Sequence, residues 1–283
     1  MITFIGTGLL GSGFVRAALK RGGETAVWNR TLDKAAALGK EGAKVFPALA
    51  DAVKGAAFVH LVLSDDDAVE SVLKEILPVL PQGVSVIDHT TTSVAGAKRR
   101  TAALAEVGVF YQHAPVFMAP LNALESTGVM LLSGDKTRHE KLSSHLTPMT
   151  GKLVYLGEDA GRAAAMKLAG NLMLMAITTG LADAAAFLKA VDIPPQELEN
   201  LFEHFNPGVS VQPRAKRMLS GKYENPSWEL RMSRKDARLI LDEAAAHRTE
   251  LKAVPTYAAI MDAWIEKGFG EHDWTVIGKD AAL

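Results

Sequence analysis

The chain opens on Gly6-Thr7-Gly8-Leu9-Leu10-Gly11, a G-x-G-x-x-G run between a short apolar segment, Ile2 to Ile5, and an apolar-periodic one beginning at Phe14. This spacing suits a tight turn that feeds a helix. Gly6 lets the chain turn, Gly8 lets the backbone approach a pyrophosphate, and Gly11 lets the helix pack close to the strand. Unpaired N–H groups at the helix start then face phosphate oxygens. Gly6, Thr7, Gly8, Leu9, Leu10 and Gly11 are therefore a candidate dinucleotide cradle. A second constellation lies at Lys167 and Asn171, within Gly161-Arg162-Ala163-Ala164-Ala165-Met166-Lys167-Leu168-Ala169-Gly170-Asn171. A lysine among alanines, leucines and methionines is partly desolvated, which lowers its pKa toward the range of a working acid–base group. Asn171 falls one turn on, on the same helix face, where it can share a ligand. The spacing fits equally a surface lysine whose stem lies along the helix.

The residues after the second apolar segment, Thr25–Trp28, decide which dinucleotide is expected. An acidic residue there would bind the ribose 2′-OH of NAD. The sequence instead reads Asn29-Arg30-Thr31. Arg30 can pair with a 2′-phosphate, with hydrogen bonds from Asn29 and Thr31, so NADP(H) is the expected cofactor. Asp33 is assigned to the first turn of the next helix, where a negative charge suits the dipole. Asp65-Asp66-Asp67 follows a strand and opens a helix, and reads as a cap. The eight histidines show no metal-ligand spacing, so no metal is expected. His89, after the strand that ends at Asp88, stands at a site edge where a functional role is open, but it reads first as a polar loop residue.

These residues need elements to hold them. Up to about residue 157, strand candidates at Ile2–Ile5, Thr25–Trp28, Ala57–Leu63, Val84–Asp88, Val109–His113, Val129–Ser133 and Leu153–Leu156 alternate with helix-length stretches such as Ala68–Leu77 and Val94–Val107. Such alternation predicts a mostly parallel, doubly wound α/β sheet of the Rossmann type. Strand signals stop after Gly157. Residues 161–190 form one long helical pattern, closed by Pro194-Pro195, and the remainder, including Ser233–Ala246 and Thr256–Lys267, reads as helix and loop. The expected domains are 1–158, binding the cofactor, and 159–283, all-helical, joined by the long interdomain helix at about 161–190. The apolar stretch Met166–Val191 is interrupted by Lys167, Asn171, Asp183 and Lys189, and reads as a long buried helix rather than a membrane span.

Composition narrows the function classes. The chain has 283 residues, 48% apolar, with a net charge of −1. That balance offers no electrostatic footprint for nucleic acid or an anionic membrane. There is no cysteine, which removes disulfides and thiolate chemistry and fits a cytoplasmic protein. The fingerprint strand starts at Ile2, so no signal peptide is expected.

At this point the motifs, in order, resemble the β-hydroxyacid dehydrogenases: 3-hydroxyisobutyrate dehydrogenase, the glyoxylate and succinic semialdehyde reductases, and more distantly 6-phosphogluconate dehydrogenase. The resemblance spans nearly the whole chain. It implies that Gly6–Gly11 is the cofactor loop and that Asn29-Arg30-Thr31 follows the NADP-dependent members. Asp88-His89-Thr90-Thr91 is similar to the family's Asp-x-Ser-Thr segment and places Thr91 near the nicotinamide, with Leu63-Ser64 also on the cofactor. Lys167 would be the catalytic lysine and Asn171 a substrate-site residue. Lys235-Asp236 resembles a late motif whose lysine reaches toward the cofactor. Members assemble as dimers or tetramers through the helical domain.

The chain departs from this pattern in two places. Where relatives carry Asp-Ala-Pro-Val-Ser-Gly-Gly to hold a carboxylate, it reads His113-Ala114-Pro115-Val116-Phe117-Met118-Ala119. Phe117 and Met118 offer neither a hydroxyl nor glycine's backbone freedom. Ala163 stands for the second glycine of the lysine motif. The expectation is an NADPH-dependent oxidoreductase with Lys167 as general acid or base. Its substrate, bound at Phe117, Met118, Ala119 and Asn171 in a cleft between the domains, is not a typical small hydroxy acid. Imine reduction on the same scaffold and a non-catalytic NADP-binding protein remain alternatives.

Overall fold

The computed structural model describes residues 1–282. They pack as two compact units, the first running Met1–Asn171 and the second beginning at Leu172. The first unit contains, in order, β1 (Ile2–Ile5), α1 (Leu9–Lys20), β2 (Thr25–Trp28), α2 (Leu32–Lys40), β3 (Lys44–Val45), α3 (Leu49–Ala52), β4 (Phe58–Leu61) and α4 (Asp66–Ile76). It continues through β5 (Ser85–Asp88), α5 (Val94–Glu106), β6 (Phe110–His113), β7 (Val116–Phe117), α6 (Pro120–Glu125), β8 (Val129–Leu132), α7 (Lys136–Leu146) and β9 (Lys152–Tyr155). Helix α8 (Arg162–Ala190) begins in this unit and continues into the second.

Six strands form a parallel sheet in the order β3-β2-β1-β4-β5-β6. The chain moves outward from β1 on one side, then returns to β4 and moves outward on the other. The crevice outside the carboxyl ends of β1 and β4 is therefore the switch point where such sheets bind ligands. Successive strand residues face opposite sides. Phe4, Val27 and Ile87 enter one core with Phe14 and Val15 of α1, while Ile5, Val59, Leu61 and Val86 enter another with Val69, Leu73 and Ile76 of α4.

The strands at Val129 and Leu153 leave the main sheet. β8 pairs antiparallel with β7 and parallel with β9 in a separate three-stranded sheet. Pro115 has no N–H to extend the ladder of β6, so the chain turns there and starts again as β7. β3 and β7 are two residues each and carry no readable alternation, so they went unanticipated.

The second unit is helical: the rest of α8, then α9 (Glu197–His204), α10 (Val211–Ser220), α11 (Leu230–Ala246) and α12 (Val254–Trp264). Its core gathers Tyr223, Leu230, Ala258, Met261, Trp264 and Val276. The buried Asp183 carboxylate accepts N–H groups of Lys252, Ala253 and Val254 at 2.8, 2.7 and 3.0 Å, tying α8 to the start of α12.

The expectation of a buried α8 is corrected. By length and composition the helix could cross a membrane, yet only 6% of its most apolar window is buried within the chain. Leu172, Leu174 and Met175 are 63%, 56% and 67% exposed. Apolar residues are spread around the helix rather than gathered on one face, and packing on one side cannot bury such a surface.

Candidate active site

The glycines of the cradle do three different things. Gly6 has φ +96°, and a Cβ there would collide with the Val62 carbonyl oxygen. A Cβ at Gly11 would collide with the carbonyl oxygen of Gly6, so the start of α1 lies directly on the turn. Gly8 faces open space, with nothing within 4 Å of where its Cβ would stand. The first and third glycines are steric necessities of the turn, and the second leaves room for a ligand. Thr7 Oγ1 is buried without a hydrogen-bond partner, an orphan that a phosphate oxygen would satisfy. A dinucleotide pyrophosphate fits these groups.

Two cavities flank the cradle. One, of about 390 Å³, runs from Gly6 and Gly8 past Trp28, Asn29, Arg30, Thr31, Lys34 and Ser64. The other, of about 260 Å³, is bounded by Gly8–Gly11, Leu63, Ser64, His89 and Thr91. Arg30 and Thr31 are exposed on the first. Asn29 is engaged elsewhere. Its Oδ1 accepts the Thr7 N–H at 3.0 Å and its Nδ2 donates to the Thr31 carbonyl at 2.9 Å, so it braces the cradle against the β2 loop. Lys34, one turn into α2, joins Arg30 and was not singled out in the sequence.

The segment 88–93 is clamped at both ends. Buried Asp88 accepts the Thr90 N–H at 2.9 Å and the Tyr111 hydroxyl at 2.7 Å. Asp66 accepts the Ser93 N–H at 2.8 Å, and Thr90 Oγ1 accepts the Leu63 N–H at 3.1 Å. Arg100 links the two carboxylates, donating to the Tyr111 hydroxyl at 3.1 Å and to Asp66 at 2.7 Å. Burial pushes the Asp66 carboxyl up, but the Ser93 N–H and Arg100 outweigh it and hold it below the usual carboxylate range. Thr91, half-buried, is thereby fixed at the mouth of the smaller cavity. Asp65 caps α4 by accepting the Ala68 N–H at 2.8 Å, as the acidic run suggested.

The lysine of α8 is half-buried, and burial lowers its pKa below the ordinary lysine value. Its Nζ stands 4.2 Å from the centroid of the Phe117 ring. Asn171, one turn on, is also half-buried. The residues of the divergent motif separate, because neighbours on an extended segment face opposite ways. Phe117 turns to Lys167. Met118 packs against the core and Gly128. Ala119 is exposed and caps α6. Of the three, Phe117 faces the lysine. Lys235 lies in the second unit on α11, partly exposed, with Nζ 2.8 Å from Asp236.

Residues 1–157 match the model of the NAD binding domain of 6-phosphogluconate dehydrogenase. The chain belongs to this family. Over 281 residues this family member is 26% identical to an uncharacterized oxidoreductase, YfjR, of Bacillus subtilis, covering 98% of both chains. It is 24% identical to an NADPH-dependent reductive aminase of Aspergillus oryzae, covering 98% of this chain and 95% of that one. It is 26% identical to glyoxylate/succinic semialdehyde reductase 1 of Arabidopsis thaliana, covering 98% and 96%. Its fold superposes on an imine reductase from Myxococcus stipitatus in complex with NADP+ with a TM-score of 0.91, at 23% identity and 98% coverage of each chain. The chain is thus a nicotinamide-dependent oxidoreductase.

This family member also holds a histidine chain that its sequence concealed. His89, expected in a polar loop, is 2% exposed. Its Nδ1–H donates to the Ala114 carbonyl at 2.8 Å, which leaves Nε2 to accept from His60 Nδ1 at 2.9 Å. His60 Nε2 in turn accepts from His145 Nε2 at 2.9 Å. The carbonyl fixes every tautomer, because it can only accept. Burial holds His60 well below its ordinary pKa and lowers His89 and His145 to about 4. The chain ends on a backbone oxygen and delivers no proton, so it braces the segment leading to Phe117. His60 sits where strand alternation calls for a core residue, and that was the one available signal.

Proposed function

We propose that this chain is an NADPH-dependent reductase of carbonyl compounds that lack a carboxylate, with Lys167 as the proton donor. The observation that carries the reading is the half-buried Lys167 ammonium over the face of Phe117. In the related motif that position is a serine, part of an anion-holding group. A site whose paired partner for a carboxylate is gone loses its preference for one. Arg30, Thr31 and Lys34 along the larger cavity support NADPH, by pairing with the additional phosphate.

When bound, the nicotinamide supplies a hydride to the substrate carbon. The residues of the chain do the rest. Backbone N–H groups of Leu9, Leu10 and Gly11 hold the pyrophosphate. Lys167 holds a proton at Nζ and gives it to the developing alkoxide oxygen, or takes it back in the oxidative direction. Asn171 steadies that oxygen through Nδ2–H. Thr91 orients the nicotinamide end, and Phe117 keeps water from the lysine. Lys235 enters through motif resemblance alone.

Imine reduction is the second reading, favoured by the reductive aminase and imine reductase relatives. An iminium ion brings its own proton and would be repelled by the Lys167 ammonium, whereas a neutral imine would use the lysine as a ketone does. The test is NADPH oxidation with apolar ketones, short semialdehydes, α-keto acids and cyclic imines, beside NADH. Lys167→Ala should lower carbonyl turnover at least about a hundredfold with NADPH affinity unchanged. Near-normal turnover removes Lys167 from the role. Preference for glyoxylate or succinic semialdehyde overturns the reading of Phe117. We further propose a cytoplasmic homodimer or homotetramer in which a second copy covers the exposed apolar length of α8.

A further inference from the structure

Lys167 is a cation taken partly out of water with no anion to receive it. Among the described residues its Nζ forms no salt bridge, and burial lowers its pKa. Two charged groups near this end of α8 are directed elsewhere. Lys98 of α5 pairs with Asp159 at 2.8 Å, and Arg162 reaches back toward Gly157. What faces the ammonium is the Phe117 ring, at 4.2 Å from its centroid. An aromatic face attracts a cation, more strongly as water is excluded.

The ring itself is seated by a glycine. Gly170 lies three residues after Lys167, on the same side of α8. A Cβ there would collide with Phe117 Cζ and stand 2.6 Å from Cε1. Glycine inside a helix is unfavourable, because the unfolded chain loses more freedom there than with alanine. Its presence in the interior of a 29-residue helix calls for a packing reason, and the Phe117 ring supplies it. β7 carries the ring, paired at Phe117 with Val129 of β8. Lysine, ring and glycine thus form one stack: Gly170 seats the ring, and the ring holds the cation.

We propose that Phe117 is the positioning residue for Lys167, keeping it charged and aimed by a cation–π contact, with Gly170 as the seat that makes the contact possible. The consequence concerns substrate class. The lysine needs no substrate carboxylate to stabilise its charge, so a neutral ketone or aldehyde meets a proton donor that is already loaded. This deepens the proposed role of Lys167, but its principal test does not depend on turnover.

That test is the titration of Lys167 followed by NMR in protein carrying ¹³Cε-lysine, its signal assigned by loss in Lys167→Arg. Three changes weaken the contact by different routes. Phe117→Leu removes the π face. 2,6-Difluorophenylalanine at position 117 keeps the shape, puts fluorine on the edge away from Gly170 and weakens the ring's negative face. Gly170→Ala pushes the ring off its seat. The expected result is a downward shift of the Lys167 pKa by about 0.5–1.5 units in Phe117→Leu, from the usual strength of such contacts, and a smaller shift of the same sign in the fluorinated protein. Gly170→Ala should shift it the same way; if that variant does not fold, the fluorinated protein decides. A titration unchanged in both Phe117 variants overturns the proposal. The high-pH fall of NADPH-dependent reduction should move down in step. If the NMR titration moves and the pH profile does not, the ring's hold on the ammonium stands and the proton-donor role of Lys167 fails.

Discussion

The histidine chain makes the first unit sensitive to acid in a calculable window. In the neutral chain His60 and His89 use both ring nitrogens, so a proton can be added to either only by displacing a neighbour's N–H. His145 Nδ1 has no partner in the chain, so it is the burial of His60 and His89 that opposes their charged forms. His89 titrates at about 4 in the folded protein, against an ordinary value of 6.5. The folded state therefore binds fewer protons than the unfolded state between these values. The stability this provides is fully present above pH 6.5 and is lost as pH falls through 6.5 toward 4. A gap of this size corresponds to about 3 kcal/mol for His89 alone, of which about 2 kcal/mol is gone by pH 5. The lowered carboxylates, such as Asp66 and Asp183, start from an ordinary value of 3.8 and titrate below that window, so they do not mask it. Native-state hydrogen exchange on the amides of β1, β4 and β5, at pH 7.5 and pH 5, measures the relevant opening free energy. It should fall by at least about 2 kcal/mol once intrinsic exchange rates are corrected. Imidazole ¹⁵N shifts should report neutral His89 with Nδ1 protonated throughout. An opening free energy that stays level across this range, or a His89 that titrates near 6.5, refutes the argument from burial and fixed tautomers.

Other substitutions probe the cradle and the second unit. Arg30→Ala should reduce the preference for NADPH over NADH by roughly tenfold to a hundredfold, the worth of charge-assisted hydrogen bonds to a phosphate; unchanged kcat/KM ratios would remove Arg30 from the 2′-phosphate site. Gly11→Ala places a methyl group against the Gly6 carbonyl, so the cofactor should bind weakly and the first unit should lose about 2–3 kcal/mol in urea unfolding, whereas Gly8→Ala, with open space before it, should spare stability and weaken cofactor binding alone. Asp183→Ala strands three N–H groups at residues 252–254 and should cost the second unit about 2–4 kcal/mol, read as faster exchange of those amides.

Asn29 and Arg30 show how far residue type alone could be taken. Both were candidates for the 2′-phosphate because both carry donors in the deciding loop. In the structure Arg30 is exposed on the cavity, whereas Asn29 is bonded to Thr7 and Thr31. Phe117 and Met118 divide in the same way. Side-chain chemistry marks the pair as a departure from an anion-binding motif, while the turn at Pro115 and the two-residue β7 decide that one faces Lys167 and the other the core.

What the sequence determined by itself was set by local rules. Glycine spacing, strand-to-helix alternation, acidic caps and the i, i+4 relation of Lys167 and Asn171 depend on residues close together in the chain, where sterics and helix geometry leave few solutions. What tertiary structure decided depends on groups brought from far apart. The histidine chain joins positions 60, 89 and 145, the 88–93 clamp draws on Asp66, Arg100 and Tyr111, and the cation over the ring joins positions 117 and 167. The same division explains α8: its apolar composition marked it as a helix that must be covered, but burial is a property of neighbours, and within its own chain they leave most of it exposed.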